Sequence, residues 1–447
     1  MSLPRLAVLY TAIAVVQLLS SAAYVPASQM VLDQTSAASA ILRRITTDPE
    51  RGWDAHSVVE DLVQSLNADV WHVGQHHVDV YLPQGSANAS SPSLDDLPHV
   101  DTHLPNALLK APRTRPQSHW NLSSLANTTF HAEYHALEDI YIFTRELLDL
   151  YPDNVKVVPI GHSVENREMF ALEIFKDERT KAKKTGFVIT GAQHAREWIA
   201  TSTAMFIAHA LLADPSESYS MAPLLSSYTF YLVLVPNPDG YVYTWETDRL
   251  WYKNRQTLGP NEKCVGLDMN RNWGHKWKRR ADFPATQAAK KAPANPCAPW
   301  YPGHRPFESP EVNNIANFIT TLPNLRAYID LRSYGQMIST PWSFTCKKTT
   351  KDAEDQLEAA LGAAAAIRIA HGTTFTAGGL CKSTYKAPGN VVDYMYGKAG
   401  VKYSYAVHLR DTGTYGFLLP PQWIRPVGEE TANMIKALAA FIVNKKF

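Results

Sequence analysis

The sequence predicts an α/β fold, in which a mixed central β-sheet carries helices on both faces and a small α+β unit precedes it. Three observations lead to this prediction. Hydrophobic residues make up 45% of the 447 residues, enough for a large core and a second, smaller unit. After residue 131, short apolar runs alternate with segments of helical spacing. Between residues 84 and 130 the chain is polar and rich in Ser and Pro, which is typical of a linker.

Residues 1–23 have the pattern of a secretory signal peptide. Arg5 precedes an apolar run, and Ser21, Ala22 and Ala23 supply the small residues of a cleavage site. The alternative is a signal anchor, but the apolar run is short for crossing a bilayer. We therefore expect a secreted, extracellular protein without a membrane span, and the vacuole is a second destination.

Residues 24–83 contain the elements of the small α+β unit. The segment DAHSVVEDLVQSL has helical spacing, and DVWHVG and HVDVYLP form a strand-like pair. Three glycosylation sequons begin in this half of the chain, at Asn88, Asn121 and Asn127. We therefore expect a glycoprotein whose first 130 residues are largely exposed.

Residues 131–447 alternate between helix and strand patterns. HALEDIYIFTRELLDLYPD predicts a helix ended by Pro152, whereas NVKVVPIG, FALEIF, GFVIT and YTFYLVLVP predict strands. SPEVNNIANFITTL predicts a helix capped by Ser309, and a longer helix is predicted from an Asp352 cap to a stop at Gly372. RAYIDLRS and KYSYAVHLR predict two further strands, and ETANMIKALAAFIVN predicts the closing helix.

Charge and cysteine content narrow the functional classes. The formal charge is +1, from 43 basic and 42 acidic residues without a basic stripe, so we expect no nucleic-acid partner. Four cysteines in a secreted chain favour two disulfides, and three pairings are open. Sequential pairing of Cys264 with Cys297 and of Cys346 with Cys381 would close loops worth about 3 to 4 kcal/mol each.

The segment GAQHAREW carries the first chemical signal. It follows the predicted strand GFVIT and places His194 and Glu197 three positions apart, a spacing that lets an imidazole and a carboxylate bind one zinc ion. A catalytic zinc needs a third protein ligand as well. IDLRS and VHLRD also place polar residues at the carboxyl ends of predicted strands, where ligands collect in α/β sheets.

The order of motifs from residue 131 to 447 resembles the zinc metallocarboxypeptidases of the A/B type. These motifs are HAREW, VPNPDGY, RLWYKNR, CVGLDMNRNW, IDLRSYGQ and KYSYAVHLRDTGTYGFLLP. LNADVWHVGQHHVDVYLP is more loosely similar to the family's inhibitory prosegment, and VYTWETDRLWYKNRQ resembles fungal carboxypeptidase-like proteins associated with cell-wall biogenesis. The resemblance implies a carboxypeptidase-like fold, a zymogen and proteolysis from the C-terminus.

The resemblance also implies individual roles. It makes His194 and Glu197 zinc ligands, with Asp268 accepting the other ring N–H of His194. The groups that would bind a peptide's terminal carboxylate and polarise its scissile carbonyl are Arg196, Arg255, Asn270 and Arg271. Tyr385 would fold over the bound peptide. Val392 lies at the position of the pocket floor, and the lack of a carboxylate there implies a preference for apolar C-terminal side chains.

Two positions depart from the family's pattern. Arg332 stands where the third zinc ligand is expected, and a guanidinium has no lone pair to donate to a metal. His408 stands in place of the general-base Glu, a group that contributes about 10² to 10⁴ in rate. Zinc is therefore implied by the family but doubtful in this chain.

Three interpretations remain open on the sequence. The first is a monomeric pseudoenzyme that binds the C-termini of peptides or proteins without cleaving them, with Arg332 paired to Glu197 in the volume of the metal. The second is an active zinc carboxypeptidase of A-type specificity that uses His408 as a surrogate third ligand. The third is a cell-surface or structural interaction protein whose cleft is vestigial.

Overall fold

The described part of the chain comprises several ranges of a computed structural model: residues 40–48, 58–59, 68–84, 97–111, 120–279 and 295–445. The predicted signal peptide, the sequon at Asn88 and most of the predicted helix DAHSVVEDLVQSL lie outside these ranges. Within them, no helix combines the length and the apolar character that crossing a bilayer requires.

The N-terminal unit is a four-stranded antiparallel sheet in the order β2-β3-β1-β4. Its strands are β1 (Ala40–Thr46), β2 (Asp69–Val73), β3 (His77–Leu82) and β4 (His99–Leu104). β2 and β3 are the strand pair that the sequence predicted. β4 lies inside the range predicted as a linker. Most of its side chains are not buried, so the strand can be built from polar residues, which is why its sequence looks like that of a linker. Its place in the sheet comes from backbone pairing with β1, which composition does not reveal.

The larger unit is built on an eight-stranded mixed sheet in the order β11-β10-β12-β9-β7-β8-β6-β5. Its strands are β5 (Val155–His162), β6 (Glu168–Ile174), β7 (Thr185–Thr190), β8 (Tyr228–Val233), β9 (Leu325–Arg332), β10 (Met337–Thr340), β11 (Thr376–Gly379) and β12 (Tyr403–His408). The four central strands, β12, β9, β7 and β8, are parallel, so their carboxyl ends meet at one edge. The mixed sheet confirms the predicted fold class.

Eight helices are present in the described ranges of this unit, and they cover both faces of the sheet. They are α1 (Leu137–Leu150), α2 (Trp198–Ala210), α3 (Pro238–Glu246), α4 (Pro310–Thr320), α5 (Ala353–His371), α6 (Leu380–Ser383), α7 (Val391–Gly397) and α8 (Ile424–Asn444). Apolar residues of α1, α2, α5 and α8 form one core with one face of the sheet, and residues of α4 and α7 pack on the other. Alternate strand residues supply the two cores: Phe187 and Ile189 belong to the first and Val188 to the second.

The four predicted helix ends are confirmed in position: α1 ends just before Pro152, Ser309 is the N-cap of α4, and α5 runs from an Asp352 N-cap to Gly372. Ser309 Oγ accepts a hydrogen bond from the Val312 amide at 3.3 Å, and Gly372 ends α5 with a φ of +75°. The Asp352 carboxylate accepts a hydrogen bond from the Tyr396 hydroxyl at 2.7 Å and none from an α5 amide, so Asp352 holds the N-cap position without a side-chain cap bond. The disulfides are sequential, Cys264 with Cys297 and Cys346 with Cys381.

A buried histidine in α2 leads to a prediction of acid sensitivity. His209 is fully buried, with one ring nitrogen 2.9 Å from the Leu122 carbonyl and the other 3.1 Å from His131. Burial lowers the pKa of His209 to about 4. The unfolded chain therefore takes up a proton below about pH 6.5 that the folded chain refuses until about pH 4, and stability falls across that window.

We expect this one group to cost about 2 kcal/mol of folding free energy between pH 7 and pH 5. Urea unfolding of the natural chain and of His209→Leu at both pH values measures it. The variant should be less stable at pH 7 but should lose less on acidification. An equal loss in both chains would contradict the assignment to His209.

Candidate functional site

The candidate site lies at the carboxyl ends of the parallel strands. His194 and Glu197 follow β7, while Arg332 ends β9 and His408 ends β12, directly opposite each other in the sheet register. All four line one cavity of about 90 Å³. The strand order therefore brings together side chains that are more than 200 residues apart in the sequence.

His194 is held between two carboxylates. Its Nδ1 lies 2.9 Å from Glu197 Oε1, and its Nε2 lies 3.0 Å from Asp268 Oδ1, which confirms the predicted contact with Asp268. Burial by itself lowers the pKa of His194, but Glu197 and Asp268 outweigh it and raise the pKa above its ordinary value. The second oxygen of Glu197 accepts a hydrogen bond from the Ser333 amide at 3.3 Å. Both residues predicted as ligands thus point their ligand atoms at the same place, within contact distance of each other.

Arg332 forms its ion pair with Asp330, through Nε and Oδ2, and both side chains are buried. The prediction that Arg332 pairs directly with Glu197 is wrong, because its Nε bonds to Asp330, which lies two residues earlier on the same face of β9. Burial lowers the pKa of Arg332, whereas Asp330 and then Glu197 raise it, and the net shift is upward. The guanidinium is therefore a permanent cation, and its Nη2 has no hydrogen-bond partner within the described ranges.

His408 is neutral in this setting. Burial is the main cause that lowers its pKa far below the ordinary value, and the nearby cations and imidazoles of Arg332, His72 and His194 lower it further. Its Nδ1 also has no partner among the residues that the structure describes. A neutral imidazole can donate or accept one hydrogen bond at the cavity wall.

These residues do not fit a zinc ion. Two conventional ligands are present, but the third position holds a cation without a lone pair, and this cation is itself paired with the buried Asp330. In the described ranges, the one cluster with metal-ligand spacing elsewhere is Glu262, Cys264 and Cys297, and its two cysteines form a disulfide.

The groups predicted to bind a terminal carboxylate lie in different surroundings. Arg271 lines the cavity, donates to the Tyr385 hydroxyl at 2.6 Å, and is held by the Asn270 carbonyl at 3.0 Å. Tyr385 also lines the cavity. Asn270 is fully buried and its Oδ1 accepts from the Val391 amide, while Val392 belongs to the core beneath α7. Neither Asn270 nor Val392 is among the described cavity-lining residues.

Arg255 is placed outside the cavity lining. Its guanidinium lies over the rings of Tyr243 and Trp251, at 3.7 and 4.5 Å from the ring centroids, with Glu165 at 3.9 Å. Tyr252, three residues earlier, lines the cavity and stacks on His194 at 3.9 Å between ring centroids. The wall beside His194 is therefore an aromatic ring. The sequence did not single out Tyr252, because RLWYKNR contains several aromatic and basic side chains, any of which could line a cleft.

The N-terminal sheet closes the cleft. Asp69, at the start of β2, accepts two hydrogen bonds from Arg196 Nη1 at 3.0 and 2.8 Å. Trp71 and His72 line the cavity, and His72 packs against Tyr334 at 5.4 Å. Arg196, one of the predicted carboxylate-binding groups, is thus engaged by a carboxylate of the chain itself. No pattern in the sequence pointed to Asp69.

Comparison with known proteins places this geometry in a family. The family model of zinc carboxypeptidases matches residues 140–434, which is more than half of the chain. The chain belongs to the zinc carboxypeptidase family. Two relatives are named inactive metallocarboxypeptidase ECM14. The one from Ajellomyces dermatitidis is 32% identical over 425 residues, covering 86% of this chain and 70% of the relative. The one from Sclerotinia sclerotiorum is 35% identical over 345 residues, covering 72% and 56%.

Solved structures of family members agree with the fold. Thrombin activatable fibrinolysis inhibitor matches with a TM-score of 0.77 and 28% identity, over 91% of this chain and 99% of that chain. Carboxypeptidase A from Helicoverpa armigera matches with a TM-score of 0.75 and 24% identity, over 92% of this chain and 99% of that chain. Because each match covers more than 90% of this chain, it extends beyond residues 131–447 into the N-terminal part.

Proposed function

We propose that this family member is a pseudoenzyme, which binds the C-terminal residues of peptides or proteins without hydrolysing them. The observation that carries the proposal is the substituted metal centre. The buried Arg332 cation, paired with Asp330, stands at the third-ligand position beside His194 and Glu197. A site with this arrangement lacks the metal that polarises the peptide carbonyl and activates water. The names of the ECM14 relatives support the same conclusion.

The retained side chains support binding. Arg271 presents a buried guanidinium to the cavity, and Tyr385 lies beside it. A guanidinium can hold a terminal carboxylate through two charge-assisted hydrogen bonds. Leu380 and Ala387 line the cavity, and an apolar lining of this kind favours C-terminal residues such as Phe or Leu. Arg332 Nη2 and His408 Nδ1, which lack partners in the described ranges, are suited to contact an acyl oxygen of the same ligand.

The N-terminal sheet controls the access of a peptide to the cleft. Asp69 accepts hydrogen bonds from Arg196, and Trp71 lines the cavity. A peptide can therefore enter only when β2 moves away from the cleft. We also propose secretion, glycosylation at the exposed Asn121 and Asn127, and a role in cell-wall organisation. These rest on the N-terminal pattern, on the sequons and on the resemblance to the fungal proteins.

Elemental analysis and a peptidase assay test the proposal together. We expect the purified chain to retain little zinc after dialysis and to release no residue from peptides ending in Phe or Leu, with the N-terminal unit present or proteolytically removed. Zinc at one ion per chain together with measurable release would contradict the pseudoenzyme.

The runner-up is an active enzyme with His408 as the third ligand. It is favoured by the neutral state of His408 and by its unpartnered Nδ1 at the cavity. Under this alternative, bound zinc would be lost in His408→Ala, whereas the pseudoenzyme has no bound zinc to lose. The two candidate functions therefore predict different zinc contents for the natural chain.

A further inference from the structure

The helix α5 packs against α8 and the sheet with one face and exposes apolar residues on the opposite face. Three of its large apolar residues are accessible to solvent: Leu357 at 39%, Leu361 at 53% and Ile369 at 82%. With the exposed Ala365 they recur every four residues over about 18 Å of helix. A single exposed Leu needs no explanation, but a row of them along one helix face is typical of an interaction surface.

Small residues beside this row allow a close approach. Gly362 is exposed, and a Cβ built on it meets nothing within 4 Å among the described residues. A glycine inside a helix costs about 1 kcal/mol relative to alanine, and nothing in the described ranges requires one here. Its neighbours Ala364 and Ala365 are small as well. Such a surface lets another helix backbone come near, and Leu361 provides a large side chain to fill the space.

The face is complementary to itself. Consider an antiparallel pair of α5 helices whose two-fold axis crosses them at the level of Ala363. Leu361 then lies level with the partner's Ala365, and Leu357 lies level with the partner's Ile369. Large side chains thus meet small ones near the centre, and apolar side chains meet at both ends. A two-fold arrangement of this kind repeats every contact twice, which is the usual geometry of homodimers.

The charges along α5 agree with the same register. The acidic residues Glu354 and Glu358 lie in the first half of the helix, and Arg368 lies in the last turn. The antiparallel register places Glu358 level with the partner's Arg368, on both sides of the dyad. Within one chain these two residues are about 15 Å apart along the helix, too far for a direct pair. Glu358 also accepts a bond from Lys445 of its own chain at 3.1 Å, so the partner's Arg368 would extend an existing ion pair.

We propose that two copies of this chain associate through antiparallel contact of their α5 faces. The cleft lies at the carboxyl ends of the sheet strands, and none of the α5 residues lines it, so the dimer contact does not involve the cleft. This departs from the monomer that the sequence analysis expected. A contact confined to one helix face belongs to the weak class of interfaces, so we expect dimerisation to depend on protein concentration.

Sedimentation of the full chain at increasing concentration tests the proposal. We expect the average mass to rise from that of one chain towards that of two, and Leu361→Glu or Ile369→Glu to abolish the rise while circular dichroism shows an unchanged fold. The matched control is Leu150→Glu, which places the same charge at a comparably exposed leucine at the end of α1 and should dimerise like the natural chain.

Charge reversal tests the register. Glu358→Arg and Arg368→Glu should each weaken association by about 3-fold or more, and the double reversal should restore it, since an exposed charge pair contributes up to about 1 kcal/mol. A natural chain that stays monomeric at all concentrations, or one that is monomeric but sediments with phosphatidylcholine vesicles, would overturn the proposal. A dimer unaffected by Leu361→Glu and Ile369→Glu would also overturn it.

Discussion

Replacing Arg332 by His should create a zinc site that the natural chain lacks. The substitution removes the permanent cation and supplies a third nitrogen ligand at the end of β9, facing His194 and Glu197. Three protein ligands are the usual complement of a catalytic zinc. We expect the variant to retain about one zinc per chain after dialysis, with affinity at least about 100-fold above that of the natural chain, because second-shell changes alone alter affinity by 10- to 100-fold.

The matched control is Arg332→Gln, which removes the same cation without adding a ligand and should leave zinc binding weak. Adding His408→Glu to Arg332→His supplies a general base, and we expect release of a C-terminal Phe to become measurable, with about 10² to 10⁴ of the gain due to the carboxylate. Isothermal titration with zinc and a peptidase assay measure the two effects. Equal zinc affinity in Arg332→His and Arg332→Gln would show that the missing ligand is not what excludes the metal.

Replacing Arg271 by Ala should weaken binding of peptides with a free C-terminus by about 10-fold or more. The reason is the loss of a buried guanidinium that would hold the terminal carboxylate, an interaction worth about 1.5 to 3 kcal/mol. The measurement uses the Asp69→Ala background, which releases Arg196 from β2, and titrates peptides ending in Phe or Leu. Amidated peptides should bind weakly to every chain, because they carry no terminal charge.

Arg255→Ala is the matched control for this experiment. The sequence motif made Arg255 a carboxylate-binding group, whereas the structure places it over Tyr243 and Trp251, outside the cavity lining. We therefore expect Arg255→Ala to bind the free-acid peptide as the parent does. Equal affinity for free and amidated peptides in the parent chain would leave the structural interaction protein as the better interpretation.

The departures at the metal centre were visible in the sequence because they depend on local motifs. IDLRS and VHLRD each follow a strand pattern, and the chemistry of a guanidinium excludes it as a ligand in any surroundings. The disulfide pairing was one of three possibilities on the sequence, and the fold selects among them by bringing Cys264 near Cys297 and Cys346 near Cys381. Asp352 is the N-cap of α5 as predicted, but the sequence did not reveal that its carboxylate bonds to Tyr396, 44 residues later, instead of to a helix amide.

From periodicity and side-chain chemistry, which act over a few residues, the sequence predicted the α/β architecture, the short-range motifs of the site and two positions, Arg332 and His408, that depart from the family's pattern. The sequence does not show which partner each charged group has, because that depends on the tertiary structure. Arg332 pairs with Asp330 instead of Glu197, Tyr252 rather than Arg255 forms the cavity wall, and Asp69 reaches Arg196 from 127 residues away. In a buried cleft each of these contacts depends on distances of a few ångströms between distant segments, which only the packing of the two sheets defines.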